Sequence, residues 1–269
     1  MSRITDAFQR LRAEQRVGLV AFVTAGFPSI EETVPIVRAL AEGGADLIEI
    51  GVPFSDPLAE GPVIQESSHA ALLAGVTPSL CVDIVRKIRD NKIATPLVLM
   101  GYYNPILAYG VSRFSEDAAK AGADGLIIVD LPPEEAEEAR TACREHGLDL
   151  IPLVAPTSSD ERLALVGGLA SGFVYCVSVR GVTGMRDELP LDLGAFVARV
   201  RQHTDLPIAV GFGISRREHV ETVGRFADAA VIGSAIVRVL ADSPPDERIE
   251  RVKAYVEQVT GRTGADVPS

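Results

Sequence analysis

Apolar runs rich in valine and isoleucine recur along the chain, separated by segments in which apolar and polar residues alternate with a period near 3.6. The runs are "GLVAFVTAG" (18–26), "DLIEIGVP" (46–53), "PLVLMGYYN" (96–104), "GLIIVDLP" (125–132), "DLIPLVAP" (149–156), "FVYCVSV" (173–179), "PIAVGFGIS" (207–215) and "AAVIGSAIV" (229–237). Helix-period segments such as "SIEETVPIVRALAEGGA", "PEEAEEARTACREHG" and "DLGAFVARVRQHT" lie between them. Continuous apolar strands alternating with amphipathic helices indicate βαβ units around a parallel sheet buried on both faces. Glycines in "EGGAD", "KAGADG" and "EHGLD" supply left-handed helix C-caps. Eight such units in 269 residues predict an α/β protein, a single-domain (β/α)8 TIM barrel over 1–269. An extra N-terminal helix is expected over 1–16 and a frayed tail over 262–269. A doubly wound open sheet is the runner-up; its G-x-G-x-x-G turn is missing after the first strand, which ends "TAGFPS".

One position breaks the apolar rule. Glu49 lies at the centre of the second strand, sharing its face with Leu47 and Gly51. The predicted strands hold no Lys or Arg to pair with it, and its interior neighbours are expected to be apolar. Desolvation should then raise its pKa and let it move a proton near neutral pH. Pairing with a cation is the competing reading, and Arg180, just past the sixth strand, is the nearest candidate. The loop that follows, "PFSDPLAEG", carries two further acids, Asp56 and Glu60. A loop glutamate taken alone is more often solvated than functional.

In a barrel, chemistry sits at the carboxyl ends of the strands. The seventh strand ends "GFGIS" and the eighth "GSAIV", with a helix expected to begin near Ser234. Small residues and a helix N-terminus there suit a phosphate, although either glycine motif alone could serve only a tight turn. The sixth loop, "SVRGVTGMRDELP", is long and glycine-containing, as expected of a lid or of a plain surface excursion.

Composition narrows the classes. A net charge of -11 without a basic run argues against nucleic acid or an anionic membrane as the main partner. Cys81, Cys143 and Cys176 are odd in number and far apart, and the four histidines lack H-x-x-x-H spacing, so no metal site is expected. With no apolar signal core and no membrane-length run, a cytoplasmic chain is expected.

The pieces "FVTAGFP", "IEIGVPFSDPLAEGPVIQ", "YYNPI", "VDLPPEE", "PTSS", "RGVTG", "GFGIS" and "GSAIV" together resemble the tryptophan synthase α subunit family over essentially the whole chain. The resemblance implies retro-aldol cleavage of indole-3-glycerol phosphate to indole and glyceraldehyde 3-phosphate. It implies Glu49 as general acid/base and Glu60 as the carboxylate that meets the indole nitrogen, where the family usually carries Asp. Tyr175 falls at a family site position and Thr183 at the lid threonine. Phosphate contacts carry over to Gly184, Gly213, Gly233 and Ser234. Phe22, Met100, Ile127, Val129, Leu153 and Phe212 could form an apolar slot for indole, or be ordinary barrel core. No cofactor is implied in this chain; pyridoxal phosphate is expected in a β subunit, with an α2β2 assembly. Pro53, Asp56, Pro57 and Pro132 are its expected contacts. A stand-alone indole-releasing lyase, and a degenerate α subunit that only activates its partner, remain the alternatives.

Overall fold

The computed structural model describes residues 2–177, 192–211 and 213–262. Nine strands, all parallel, form one sheet: β1 (Gly18–Thr24), β2 (Leu47–Gly51), β3 (Leu97–Gly101), β4 (Gly125–Ile128), β5 (Asp149–Leu150), β6 (Leu153–Val154), β7 (Val174–Val177), β8 (Ile208–Gly211) and β9 (Ala229–Ile232). Their order is β5-β4-β3-β2-β1-β9-β8-β7-β6. The two ends are consecutive in the chain. The fifth strand expected over 149–156 is in fact split at Ile151–Pro152. Its first half bonds to β4, through Ile151 N–H to the Leu126 carbonyl at 2.9 Å. Its second half bonds to β7, through Tyr175 N–H to the Pro152 carbonyl at 3.1 Å. Proline has no N–H to continue a ladder, so the strand breaks there while its carbonyl still closes the ring. The β7, β8 and β9 strands are thus the sixth, seventh and eighth of an eight-unit barrel.

Alternation along the strands sorts two cores. Leu19, Ala21, Val23, Ile48 and Ile50 face outward into the layer of helices. Val20, Leu47, Val98, Ile127, Ile151, Phe173, Ala209, Ala229 and Val231 fill the barrel. The N-terminal helix runs Arg3–Ala13, shorter than the expected 1–16. Its stripe Ile4, Ala7, Phe8 and Leu11, at i, i+3, i+4 and i+7, belongs to the interior cluster. Phe8 lies 5.6 Å from the Phe173 ring, so this helix seals the amino end of the barrel. Glycine gives the Leu11 side chain room opposite it. A Cβ on Gly18 would come within 2.5 Å of Leu11.

The glycine-alanine-aspartate repeats do more than cap helices. Gly122 and Gly147 are left-handed C-caps as expected, whereas Gly43 is right-handed and Gly44 takes the positive φ of 102°. Asp46 and Asp124 of these repeats, and Asp228, stand just before their strands and bond an N–H at the start of the neighbouring strand. Asp46 accepts from Leu19 at 2.9 Å, Asp124 from Leu97 at 2.7 Å and Asp228 from Ile208 at 2.8 Å. Each is also held by guanidinium groups: Asp46 by Arg16 and Arg262, Asp124 by Arg89 and Arg3, and Asp228 by Arg201. Arg262, assigned to a frayed tail, is docked on Asp46. Burial would raise the Asp46 pKa, but the bonds from Arg16 and Arg262 outweigh it and hold the carboxyl below its usual range. Asp46→Ala strands two guanidinium groups and one strand N–H. A loss of about 3–5 kcal/mol in urea unfolding is expected, and a loss no larger than at an exposed aspartate would show these bridges to be incidental.

No single described helix is long and apolar enough to cross a membrane. The three cysteines are free and buried.

Candidate active site

With the amino end sealed, the open end of the barrel is the carboxyl rim. Glu49 stands on β2 in register with Phe22 of β1 and Val98 of β3. It is 0% exposed, and neither carboxylate oxygen has a hydrogen-bond partner among the described residues. No described Lys or Arg bridges to it. Desolvation alone pushes its pKa up to about 8. A carboxyl in this state holds its proton at neutral pH and can release it, which suits an acid that must also act as a base.

The interior around Glu49 is not wholly apolar, contrary to expectation. Tyr175 of β7 is 8% exposed and belongs to the barrel core. Burial, then the charges of Glu49 and Glu60, keep its hydroxyl protonated well above the ordinary tyrosine range. The Tyr175 phenol thus feels the charge of both carboxylates. Glycine makes the room. A Cβ on Gly211 would lie 2.5 Å from the Tyr175 hydroxyl, and one on Gly51 would lie 2.5 Å from the Phe22 ring.

Glu60 corrects the solvated-loop reading. It is half-buried, its carboxylate accepts a hydrogen bond from the Tyr102 hydroxyl, and its backbone carbonyl accepts one from Gln65 at 2.8 Å. Burial raises its pKa despite the Tyr102 bond. Glu60, Phe22, Met100 and Tyr102 line one small cavity under the loop.

Of the expected apolar slot, Met100, Val129 and Leu153 are half-buried around the interior core, and Phe22 is nearly buried against Ile64 and Val237. Ile127 is wholly enclosed and is part of the barrel filling. Phe212, Thr183 and Gly184, with the rest of the sixth loop, lie outside the described residues.

At the phosphate end, Gly213 has a φ of 70° and Gly233 is the N-cap of the helix Ser234–Asp242. That helix has no side-chain cap and no acid in its first turn, whereas Asp160 and Glu161 open Asp160–Leu169 and Ser159 caps it. Its first intrahelical bond runs from Val237 N–H to the Gly233 carbonyl at 3.0 Å, leaving the N–H groups of residues 234–236 outside the helical ladder. Such an end favours an anion.

The expected partner surface divides. Asp56 and Pro132 are exposed and Pro57 half-exposed, but Pro53 is buried and lines the cavity beside Glu60, so its ring is not offered to a partner. Sequence reasoning missed Leu58, the most exposed large apolar side chain described, at 88%. It also quoted "YYNPI" without giving Tyr102 a task.

Comparison with known proteins identifies the family. A family model described as tryptophan synthase alpha chain matches residues 8–264. The tryptophan synthase alpha chain of Roseiflexus castenholzii is 52% identical over 261 residues, covering 97% of this chain and 100% of the relative.

The chain belongs to the tryptophan synthase alpha chain family.

Tryptophan synthase of Saccharomyces cerevisiae is 49% identical over 258 residues, or 96% of this chain and 36% of that longer protein. Among solved structures, tryptophan synthase subunit alpha from Legionella pneumophila superposes with a TM-score of 0.90 at 37% identity, covering 97% of this chain and 98% of that one. A Mycobacterium tuberculosis tryptophan synthase chain gives 0.89 at 38% identity, with 97% of each covered. The tryptophan synthase alpha chain family thus accounts for the TIM barrel from end to end.

Proposed function

We propose that this chain cleaves indole-3-glycerol phosphate to indole and glyceraldehyde 3-phosphate and passes indole to a β subunit. The observation that carries the reading is Glu49: a fully buried carboxyl at the open end of the barrel, without a described partner, with a pKa near 8. At neutral pH it starts protonated. It gives its proton to the indole carbon bearing the glycerol chain, forming an indolenine, and is left as carboxylate. It then takes the proton of the adjacent glycerol hydroxyl. The C–C bond breaks, its electron pair returns to the ring, and Glu49 ends protonated again. The cycle closes without a net proton and needs no other cofactor chemistry.

Glu60 accepts a hydrogen bond from the indole N–H and stabilises the positive charge that develops there. Tyr175 bounds the site with a neutral hydroxyl, and Thr183 meets Glu60 from the sixth loop. Phe22, Met100, Val129, Leu153 and Phe212 flank the indole ring. The N–H groups at Ser234, with Gly184, Gly213 and Gly233, hold the phosphate. Asp56, Pro57, Leu58 and Pro132 face the β subunit, which carries the pyridoxal phosphate, in a cytoplasmic α2β2 assembly.

The test is indole release. Purified chain supplied with indole-3-glycerol phosphate, alone and with β subunit, should form indole and glyceraldehyde 3-phosphate in equal amounts. Absence of both products in both mixtures would overturn the reading.

A further inference from the structure

The proposed phosphate site is built from two pieces: the turn after β8, which carries Gly213, and the helix Ser234–Asp242. A third piece, the helix Arg248–Thr260, holds both. Its buried stripe Val252, Val256 and Val259 joins the outer core. Arg248 and Tyr255 stand seven residues apart on this helix, two turns along one face. Each reaches the backbone of a different piece.

Arg248 takes the far end of the helix Ser234–Asp242. Its Nε donates to the Leu240 carbonyl at 2.9 Å and its Nη2 to the Ser243 carbonyl at 3.3 Å. Its Nη1 is tied to both oxygens of Glu32, at 2.7 and 2.6 Å. A cation fixed at a helix C-terminus complements the dipole whose positive end lies at Ser234.

Tyr255 takes the turn. Its hydroxyl donates to the Ser215 carbonyl at 2.8 Å, and the Ser215 N–H donates to His219 Nδ1 at 3.4 Å. Both backbone groups of Ser215 are therefore held by side chains, and Ile214 before it is buried in the core. Burial keeps the Tyr255 phenol protonated well above the ordinary tyrosine range, so it remains a donor. Ser215, Tyr255 and Ala235, the second residue of the helix Ser234–Asp242, line one cavity of about 720 Å³. The bond thus stands where the two pieces meet.

Backbone N–H groups that converge on a phosphate need a fixed spacing between the chains that carry them. Neither Gly213 nor Gly233 has a side chain to make up a misplacement, so the spacing is set from outside. We propose that Tyr255 is the positioning residue of the phosphate turn: its hydroxyl holds the Ser215 carbonyl and so sets Gly213 against the helix opening at Ser234. This rests on the function proposed above.

Tyr255→Phe keeps the ring and removes the oxygen. The cavity admits water to the freed carbonyl, which satisfies the group without fixing the chain. Steady-state indole release gives KM and kcat for indole-3-glycerol phosphate, and a phosphorus NMR titration gives the affinity for inorganic phosphate alone. KM and the phosphate Kd should each rise roughly 3- to 10-fold in the variant, with kcat held within about twofold. Val256→Ala opens a void under the same helix and keeps the hydroxyl; it should lower the melting temperature and leave both constants as in wild type. Wild-type constants in Tyr255→Phe, or an equal rise in Val256→Ala, would overturn the assignment to the hydroxyl. A wild-type chain that binds phosphate but releases no indole sinks the function proposed above, and the titration still decides the role of Tyr255 by the same criterion.

Discussion

Glu49→Gln will lose at least about 10²–10⁴-fold in turnover of indole-3-glycerol phosphate while becoming more stable than the wild type at pH 8. The two effects have one cause. Glutamine fills the same volume but carries no transferable proton, so substrate binding is largely kept and the proton-transfer steps are lost. The stability effect follows from linkage. The Glu49 carboxyl has a pKa of about 8 when folded, against 4.5 when exposed. Below pH 4.5 both states hold the proton and the group is neutral to stability. From 4.5 to 8 the unfolded chain sheds its proton while the folded chain keeps it, so wild-type stability declines as pH rises through that window. Glutamine removes this decline. Melting curves at pH 4.5 and pH 8 should coincide at the first and separate by several degrees at the second. Wild-type-like turnover would take Glu49 out of the mechanism, and an equal melting difference at both pH values would show that the carboxyl is not held neutral.

At position 60, alanine should lose most activity and aspartate should stay active, with a rate equal to or above that of the native glutamate. The argument separates charge from reach. Stabilising positive charge at the indole nitrogen needs a carboxylate beside the ring, which both acids supply and alanine does not. Glutamate is longer by one methylene and one torsion. A misplacement of about 1 Å at a reacting centre can cost on the order of 10²-fold in rate. The carboxylate at the end of the longer side chain accepts a hydrogen bond from the Tyr102 hydroxyl. Kinetics of the three proteins decide the matter. Alanine matching glutamate would show that the second carboxylate is unused. Inactivity with glutamate, restored by aspartate, would favour an α subunit that serves only to activate its partner.

The barrel was legible because parallel strands buried on both faces leave uninterrupted apolar runs, and the N-terminal helix because its segment is amphipathic, whereas its role in sealing the barrel through Ile4, Ala7, Phe8 and Leu11 was not. Glu49 was legible as the exception to its run. The break at Pro152 was visible as a letter, but not its effect: only the pairing of the two halves to β4 and β7 shows that it closes the ring. Pairings remote in sequence left no pattern. Asp46 meets Arg262 across 216 positions, and Tyr102 meets Glu60 across 42. A local reading therefore assigned one to a loose tail and took the other's partner as solvated. Pro53 was misjudged for a similar reason, since a proline in a surface loop gives no hint that its ring turns inward.

The helix Arg3–Ala13 fixes the direction of traffic. Because its apolar stripe stoppers the amino end, the barrel is a cup with one lip, and a product formed beside Glu49 leaves over the lip it entered by. Indole is small and apolar, and once free in water it is lost to the next catalyst by dilution. A cup with a single outlet reduces that loss to a question of what covers the lip. The loop carrying Leu58 stands on it, so a subunit seated there meets the departing molecule before the solvent does.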